Sequence, residues 1–268
     1  MTDTPLDPPA FEVVNPDGKA DVLLICDHAS SALPPEYGTL GLEPDILRRH
    51  IGWDIGAADV TRRLAEMLDA PAVLSGYSRL LFDCNRQPGN PMATPEVSDG
   101  IVVPGNQGLD EEEISKRQAL YFEPYHSAVE HQLNAFAERN VIPALISMHS
   151  FTPIMDGFER PWHAGMLTNK DVRLVSGMLD ALQAHPGIVA DHNVPYSGDD
   201  PSGYTVHVHG EKRGVPCVAV EIRQDLIDTH HAAQTWAGLM AGAVQETLKT
   251  ARPFSLQPIT DWRGALRE

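Results

Sequence analysis

The stretch Leu23-Leu24-Ile25-Cys26-Asp27-His28-Ala29-Ser30-Ser31 sets an apolar run directly against an acid and an imidazole. An unbroken apolar run bounded by small polar residues is the pattern of a strand buried on both faces. Such strands belong to mostly parallel sheets covered by helices, and open α/β sheets gather their ligands at the carboxyl ends of the strands. The stretch therefore predicts an α/β fold that delivers His28 to a strand end. Ala144-Leu145-Ile146-Ser147-Met148-His149-Ser150 repeats the arrangement and offers His149 in the same kind of position.

Outward from these two runs, strands are expected at residues 21–26, 72–74, 80–82, 144–148, 165–167, 188–190 and 215–222. Helical periodicity covers residues 44–69, which Gly52 and Gly56 divide or pinch, and then 110–139, 171–184 and 230–248. The helix from residue 110 opens on acids that suit its N-terminal dipole, and Pro124 is expected to kink it. Asp200-Pro201 reads as a helix cap followed by proline, opening a helix that Gly214 closes. Strands alternating with helices imply a mostly parallel mixed sheet with helices on both faces. Residues 1–268 read as a single domain, with residues 1–20 and 252–268 peripheral. Residues 87–108 are rich in Pro and Gly and lack periodicity, which marks them as a lid loop.

Composition narrows the function. The 268 residues are 42% hydrophobic and 21% charged, ordinary for a globular chain. With 37 acids against 20 bases the net charge is −17, which repels nucleic acids and anionic membrane surfaces. A small anionic substrate stays admissible, because a few arginines can dominate the field inside a cleft. No apolar run approaches bilayer length, and the amino terminus lacks the basic and apolar regions of a secretory signal. Cys26, Cys84 and Cys217 form no Cys-x-x-Cys pair, so a reduced, cytoplasmic protein is expected. Cys84 as a nucleophile lacks an obvious base.

Two strand-end histidines point to a metal. A hydrolytic zinc site takes three protein ligands and keeps one position open. Asp27, Asp54 and Glu36 can complete the set; Asp54, near the start of the helix after the first strand, is preferred, and Asp27 falls behind as support for a ligand. Taken singly, the histidines fit better as hydrogen-bonded loop residues and Asp54 as a helix cap; together, with matching strand-end placement, the metal reading overtakes that one. Glu221 interrupts the run Val218-Ala219-Val220-Glu221-Ile222-Arg223, where a buried carboxylate is costly without a proton-transfer role or an ionic partner. Arg223, two residues on and on the same strand face, is that alternative partner. Arg79, Asn85, Arg86 and Arg223 are candidates for a substrate carboxylate. Tyr204 and His209 follow a loop that can cross the cleft and are further substrate-binding candidates. His207 reads as a helix-surface residue. His126, His131, His163, His185, His192, His230 and His231 read as surface or packing residues.

Several segments taken together, in order, resemble the N-formylglutamate amidohydrolase family over about residues 20 to 250. They are Asp27-His28-Ala29-Ser30, His50-Ile51-Gly52-Trp53-Asp54, Tyr77-Ser78-Arg79-Leu80 with Asp83-Cys84-Asn85-Arg86, Met148-His149-Ser150-Phe151, Tyr204-Thr205 with His209-Gly210, and residues 221–227. The resemblance implies a phosphorylase/hydrolase-like three-layer α/β/α sandwich, shared with zinc carboxypeptidases and zinc-dependent cell-wall amidases. His149-Ser150-Phe151 is similar to the carboxypeptidase triplet that supplies a metal histidine, and Asn85-Arg86 to the pair that binds the substrate carboxylate. The carboxypeptidases draw two ligands from a His-x-x-Glu motif, whereas Ser31 stands at the fourth position here. Asp54 instead matches the acidic ligand that the amidases place on the following helix. The resemblance implies Zn²⁺ on His28, Asp54 and His149, Glu221 as proton acceptor, and hydrolysis of N-formyl-L-glutamate to formate and L-glutamate, a last step of histidine breakdown. Another acyl-amino-acid or peptidoglycan-type amide, or binding without catalysis after loss of the metal, are the alternatives.

Overall fold

The computed structural model describes residues 8–198, 203–252 and 254–257. Seven strands form the main sheet: β1 (Phe11–Val14), β2 (Val22–Cys26), β3 (Ala72–Ser75), β4 (Ala144–Phe151), β5 (Ala164–Leu167), β6 (Ala190–His192) and β7 (Cys217–Arg223). Their spatial order is β1-β3-β2-β4-β7-β5-β6. β3, β2, β4 and β7 run parallel to one another, β6 runs parallel to β5, and β1 and β5 each join their inner neighbour antiparallel. The sheet is thus mixed and mostly parallel.

The helices are α1 (Ala57–Leu68), α2 (Glu111–Arg117), α3 (Glu123–Glu138), α4 (Val175–Gln183) and α5 (His230–Ala251). Strand alternation divides the sheet's side chains between two cores. Val22, Leu24, Cys26, Ile146, Met148, Val218 and Val220 pack with α1, α4 and α5. Leu23, Ile25, Val73, Leu145 and Cys217 pack with Tyr125, Val129, Leu133 and Phe136 of α3. This is a three-layer α/β/α sandwich. β2 is buried on both faces along its whole length, so truncating Leu24 to alanine is expected to cost roughly 2–5 kcal/mol.

Local chemistry explains the element ends. Asp110 accepts the Glu113 N–H at the start of α2, and three acids follow in its first turn, where the helix dipole favours them. The long helix is interrupted just before Pro124: a π turn over Gln118–Phe122 joins α2 to α3, and Glu123 N–H bonds back to Gln118 O. Pro124 then stands in the first turn of α3, where a residue without an N–H is tolerated. The expected helix over 44–69 survives as a single turn at Pro44–Leu47 and as α1. Between them Gly52 lies against Leu47 O and Gly56 (φ 80°) against Ile227 O, each with 2.2 Å left for a Cβ.

Two expectations about strands need correcting. Leu80 and Leu81 lie in a turn and Phe82 in the irregular chain after it, not in a strand, and the three side chains enter three different apolar clusters. Phe11–Val14, within the expected lead-in, is an edge strand paired with β3. Residues 87–108 carry short 3₁₀ turns and a hairpin of Val97–Ser98 with Ile101–Val102. Buried Asn106 anchors the segment by donating to Leu80 O (2.8 Å) and Pro95 O (3.0 Å), and Arg117 of α2 donates to Asn106 Oδ1 (2.7 Å). The helix opening at Asp200-Pro201 lies outside the described residues; helical turns run from Thr205 to a Gly214 cap at φ 72°.

Candidate active site

β2, β4 and β7 are parallel neighbours (β2–β4–β7), so their carboxyl ends lie side by side. Residues 27, 149 and 221 emerge there on the α3 side of the sheet, and Glu221 is in direct register with His149. Asp54 comes from the turn before α1, which its N–H fixes to His28 O at 2.9 Å. His28, Asp54 and His149, all buried, bring one donor atom each to within 4.8 Å of the others.

The rings are aimed by the same device. His28 Nδ1 is 3.3 Å and His149 Nδ1 2.8 Å from a single oxygen, Asp54 Oδ2. The far nitrogen of each ring meets another carboxylate: His28 Nε2 lies 2.7 Å from Asp83 Oδ1, and His149 Nε2 3.2 Å from Asp27 Oδ2. Carboxylates behind imidazoles fix ring orientation and raise ligand basicity at metal sites. The set fits a divalent cation: two Nδ1 atoms and a carboxylate oxygen converge, and the distal nitrogens are already engaged. Burial works to discharge both rings. The facing carboxylates outweigh it, raising the pKa of His28, through Asp83 and Asp54, and that of His149 well above the usual range, through Asp27 and Asp54. Burial would likewise raise Asp54 and Asp27, but the two imidazoles hold both carboxyls far below their ordinary range.

Asp27 is a buried carboxylate surrounded by donors. Tyr125 of α3 (2.9 Å), Thr205 (2.6 Å) and Ser147 (3.0 Å) each donate a hydroxyl to it. Glu221 is the opposite case: buried, with Oε2 lacking any hydrogen-bond partner. Burial pushes its pKa up to about 7, helped by Asp54 and opposed by His149 and His28. Its ion pair with Arg223 does not form; Arg223 turns to Asp225 (2.8 Å) and to the carbonyls of Arg160 and Trp162.

The cleft over this group has a volume of about 410 Å³, and Arg79, Asn85 and Arg86 join His28, Asp54, His149 and Glu221 in lining it. Arg79 donates twice to Asp83 Oδ2 (3.0 and 2.9 Å) and once to Asp54 Oδ1 (3.4 Å). Asn85 Oδ1 accepts the backbone N–H groups of Tyr204 (2.8 Å) and Thr205 (3.1 Å), tying the Asn85-Arg86 corner to the helical turn that carries Thr205. Tyr204, His209 and Arg223 are not part of this lining. Glu36 stands apart in a 3₁₀ turn, accepting from Tyr121 at 3.5 Å. His207 reaches the cleft wall and pairs with Glu211 at 2.9 Å.

His209 packs behind the site, stacked on His126. His126 Nε2 lies 2.9 Å from the Cys84 carbonyl, which only accepts, so that nitrogen carries the proton. Burial lowers the His126 pKa to about 4, leaving Nδ1 an acceptor for His209 Nε2–H at 2.9 Å. His126 is thus a buried packing residue that also pins the Cys84 carbonyl, between Asp83 and Asn85. Asp83, Ser147, Thr205 and Tyr125 were also unassigned by sequence. Strand alternation gives Ser147 away, since it shares the face of His149.

Two imidazoles and a carboxylate converging on one point, beside a buried glutamate whose Oε2 lacks a partner, form a set suited to amide hydrolysis. The sequence profile of the N-formylglutamate amidohydrolase family matches residues 20–228, and the chain belongs to that family. The crystal structure of gene product Atu2144 from Agrobacterium tumefaciens is similar with a TM-score of 0.87 and 36% identity, covering 90% of this chain and 96% of that one. The N-formylglutamate amidohydrolase from Ralstonia eutropha shares the fold at a TM-score of 0.60 and 19% identity, covering 90% of this chain and 96% of that one. A comparison with curated protein sequences gives no match. No helix among the described residues is long and apolar enough to cross a membrane.

Proposed function

We propose that the protein hydrolyses the amide bond of N-acyl amino acids with a divalent metal, zinc foremost, held by His28, Asp54 and His149. N-formyl-L-glutamate, the compound in the family's name, is the reference member of that substrate class. The observation that carries the reading is Glu221: a buried carboxylate in register with His149, unpartnered at Oε2, with a pKa near 7. A general base works best when its pKa lies near the operating pH.

When bound, such a metal supplies Lewis acidity, polarising the acyl carbonyl and acidifying water. Glu221 then accepts the proton of the attacking water and returns it to the leaving amine. Asp83 and Asp27 hold the two imidazoles in place. Arg86, set by the Asn85 corner, takes the substrate's α-carboxylate. Closure of the cleft's polar floor away from bulk water strengthens each of these interactions. A cytoplasmic location accords with Cys26, Cys84 and Cys217, which are free and buried.

A formate- and acetate-release assay over a panel of N-formyl and N-acetyl amino acids, with Zn²⁺, Co²⁺ and Mn²⁺, tests the reading. Release that depends on added metal is the expected result. No release from any compound by the metal-loaded protein would leave the binding-only alternative. The volume of about 410 Å³ also admits acyl groups larger than formyl, which is why the panel includes them.

A further inference from the structure

The loop that follows β6 crosses the sheet beside Glu221. Antiparallel neighbours in direct register point to the same face of a sheet, and Gly165 of β5 is the register partner of Glu221. A Cβ on Gly165 would lie 1.6 Å from Val194 O, so the missing side chain is what admits the loop. Asn193 fixes both ends of the crossing. Its N–H bonds to Met166 O at 2.9 Å, and its side-chain oxygen accepts the N–H groups of Thr168 (3.0 Å) and Gly198 (3.1 Å). Tyr196, in the middle of this loop, lines the cleft together with His28, Asp54, His149 and Glu221.

The Tyr196 ring is 41% exposed, yet its hydroxyl meets a buried cation. One nitrogen of Arg160, itself only 7% exposed, lies 3.2 Å from the Tyr196 hydroxyl, 3.1 Å from Thr152 Oγ1 and 3.2 Å from Thr152 O. The guanidinium also sits 4.8 Å from the centre of the Tyr196 ring and 5.7 Å from that of Phe151. Phe151 stands two residues past His149 on β4 and so on the same face. Arg223 supports the group from behind, donating to the Arg160 carbonyl at 3.2 Å. None of these partners carries a negative charge that offsets the guanidinium. Arginine donates and never accepts, so the Tyr196 oxygen is the acceptor and its own O–H proton stays available. Burial and the neighbouring charges of Glu221 and Asp54 raise the Tyr196 pKa against the pull of Arg160. The phenol therefore keeps its proton at neutral pH.

We propose that Tyr196 is a catalytic residue whose hydroxyl, polarised by Arg160, donates a hydrogen bond to the acyl oxygen as it becomes an oxyanion. Water adds to the acyl carbon, the carbonyl π pair moves onto oxygen, and Tyr196 donates there without giving up its proton. When the C–N bond breaks, that pair returns to re-form the carbonyl and Glu221 delivers its proton to the amine. The assignment rests on the amidohydrolase reading and adds a donor to it. A donor aimed at charge that exists only in the transition state accelerates the reaction more than it tightens substrate binding.

Tyr196→Phe removes only the hydroxyl, at a partly exposed position. The zinc-loaded full-length variant should retain its zinc and lose about 10²–10³-fold in kcat on the N-formyl or N-acetyl amino acid that wild type turns over best, with KM within about threefold. Calorimetry reads the same donor without turnover. The phosphonamidate carrying a methylphosphonyl group in place of the acetyl group of N-acetyl-L-glutamate is a tetrahedral anion, and it should bind the variant about tenfold or more weakly, while L-glutamate binds both proteins alike. Arg160→Gln should lower kcat in wild type and have little further effect in Tyr196→Phe, because it acts through the hydroxyl; additive losses overturn the part given to Arg160. A kcat for Tyr196→Phe within about threefold of wild type overturns the inference, as does a raised KM at unchanged kcat. Loss of zinc from the variant overturns it as well. A zinc-loaded wild type that releases nothing from any compound overturns the amidohydrolase reading, and this inference with it.

Discussion

Replacing Glu221 with glutamine should make the metal-free protein more stable at alkaline pH while removing the proposed base. Burial raises the carboxyl from an ordinary 4.5 to about 7. At roughly 1.4 kcal/mol per pH unit the difference is worth about 3 kcal/mol. The folded state holds this proton more tightly than the unfolded chain does. Glu221 therefore costs nothing electrostatically below about pH 4.5, and its cost grows as pH rises through about 7. Glutamine keeps the shape and removes that dependence. Any fixed penalty from its unpaired amide is the same at every pH. Urea unfolding of metal-stripped wild type and Glu221→Gln at pH 4 and pH 8 reads this term together with its coupling to His149 and Asp54. The stability difference should move in the variant's favour by about 3 kcal/mol between the two pH values. With zinc restored, the variant should keep its metal and lose turnover by roughly 10²–10⁴-fold. A stability difference that stays constant with pH would show Glu221 to be solvated and would refute the reasoning.

Three further outcomes are expected. Asp54→Ala removes the oxygen that both Nδ1 atoms face, so zinc should no longer be retained through gel filtration; full retention would take Asp54 out of the ligand set. Asp83→Asn should weaken zinc about 10–100-fold in a competition titration, because it loosens the His28 ring without removing a ligand; unchanged affinity would argue against orientation through Nε2. Tyr125→Phe deletes one donor to the buried Asp27 carboxylate and should cost about 1.5–3 kcal/mol of folding stability by urea titration. An unaltered midpoint would mean the remaining donors suffice.

The strands that carry the site could be read from sequence because parallel strands covered on both faces are continuous apolar runs, and β2, β4 and β7 are such runs save for a few polar residues at the candidate site. Ser147 and Glu221 interrupt them on the face that becomes the cleft. β1 left no such trace, since only Glu12 of its four residues is exposed and edge pairing needs little hydrophobicity. The triplet Leu80–Leu81–Phe82 misled for the reverse reason: three buried side chains in a row need not share a strand when loops pack around them. At the site, the strand-end histidines were visible, and so were Asp54 and Asp27 beside them, but Asp83 and Tyr125 were not. Asp83 reaches His28 across 55 residues, and Tyr125 reaches Asp27 across 98. Arg223 illustrates the limit of alternation. Its strand face matches that of Glu221, yet the end of the strand lets Asp225 capture it.

The central claim is that His28, Asp54 and His149 form a hydrolytic metal centre. Stepwise addition of Zn²⁺ to metal-stripped protein, with bound metal and release of product from an N-formyl amino acid followed in the same sample, tests it directly. Activity should rise in proportion to occupancy and level off at about one zinc per chain. Hydrolysis that is already complete without metal, or one bound zinc with no hydrolysis, would contradict the account.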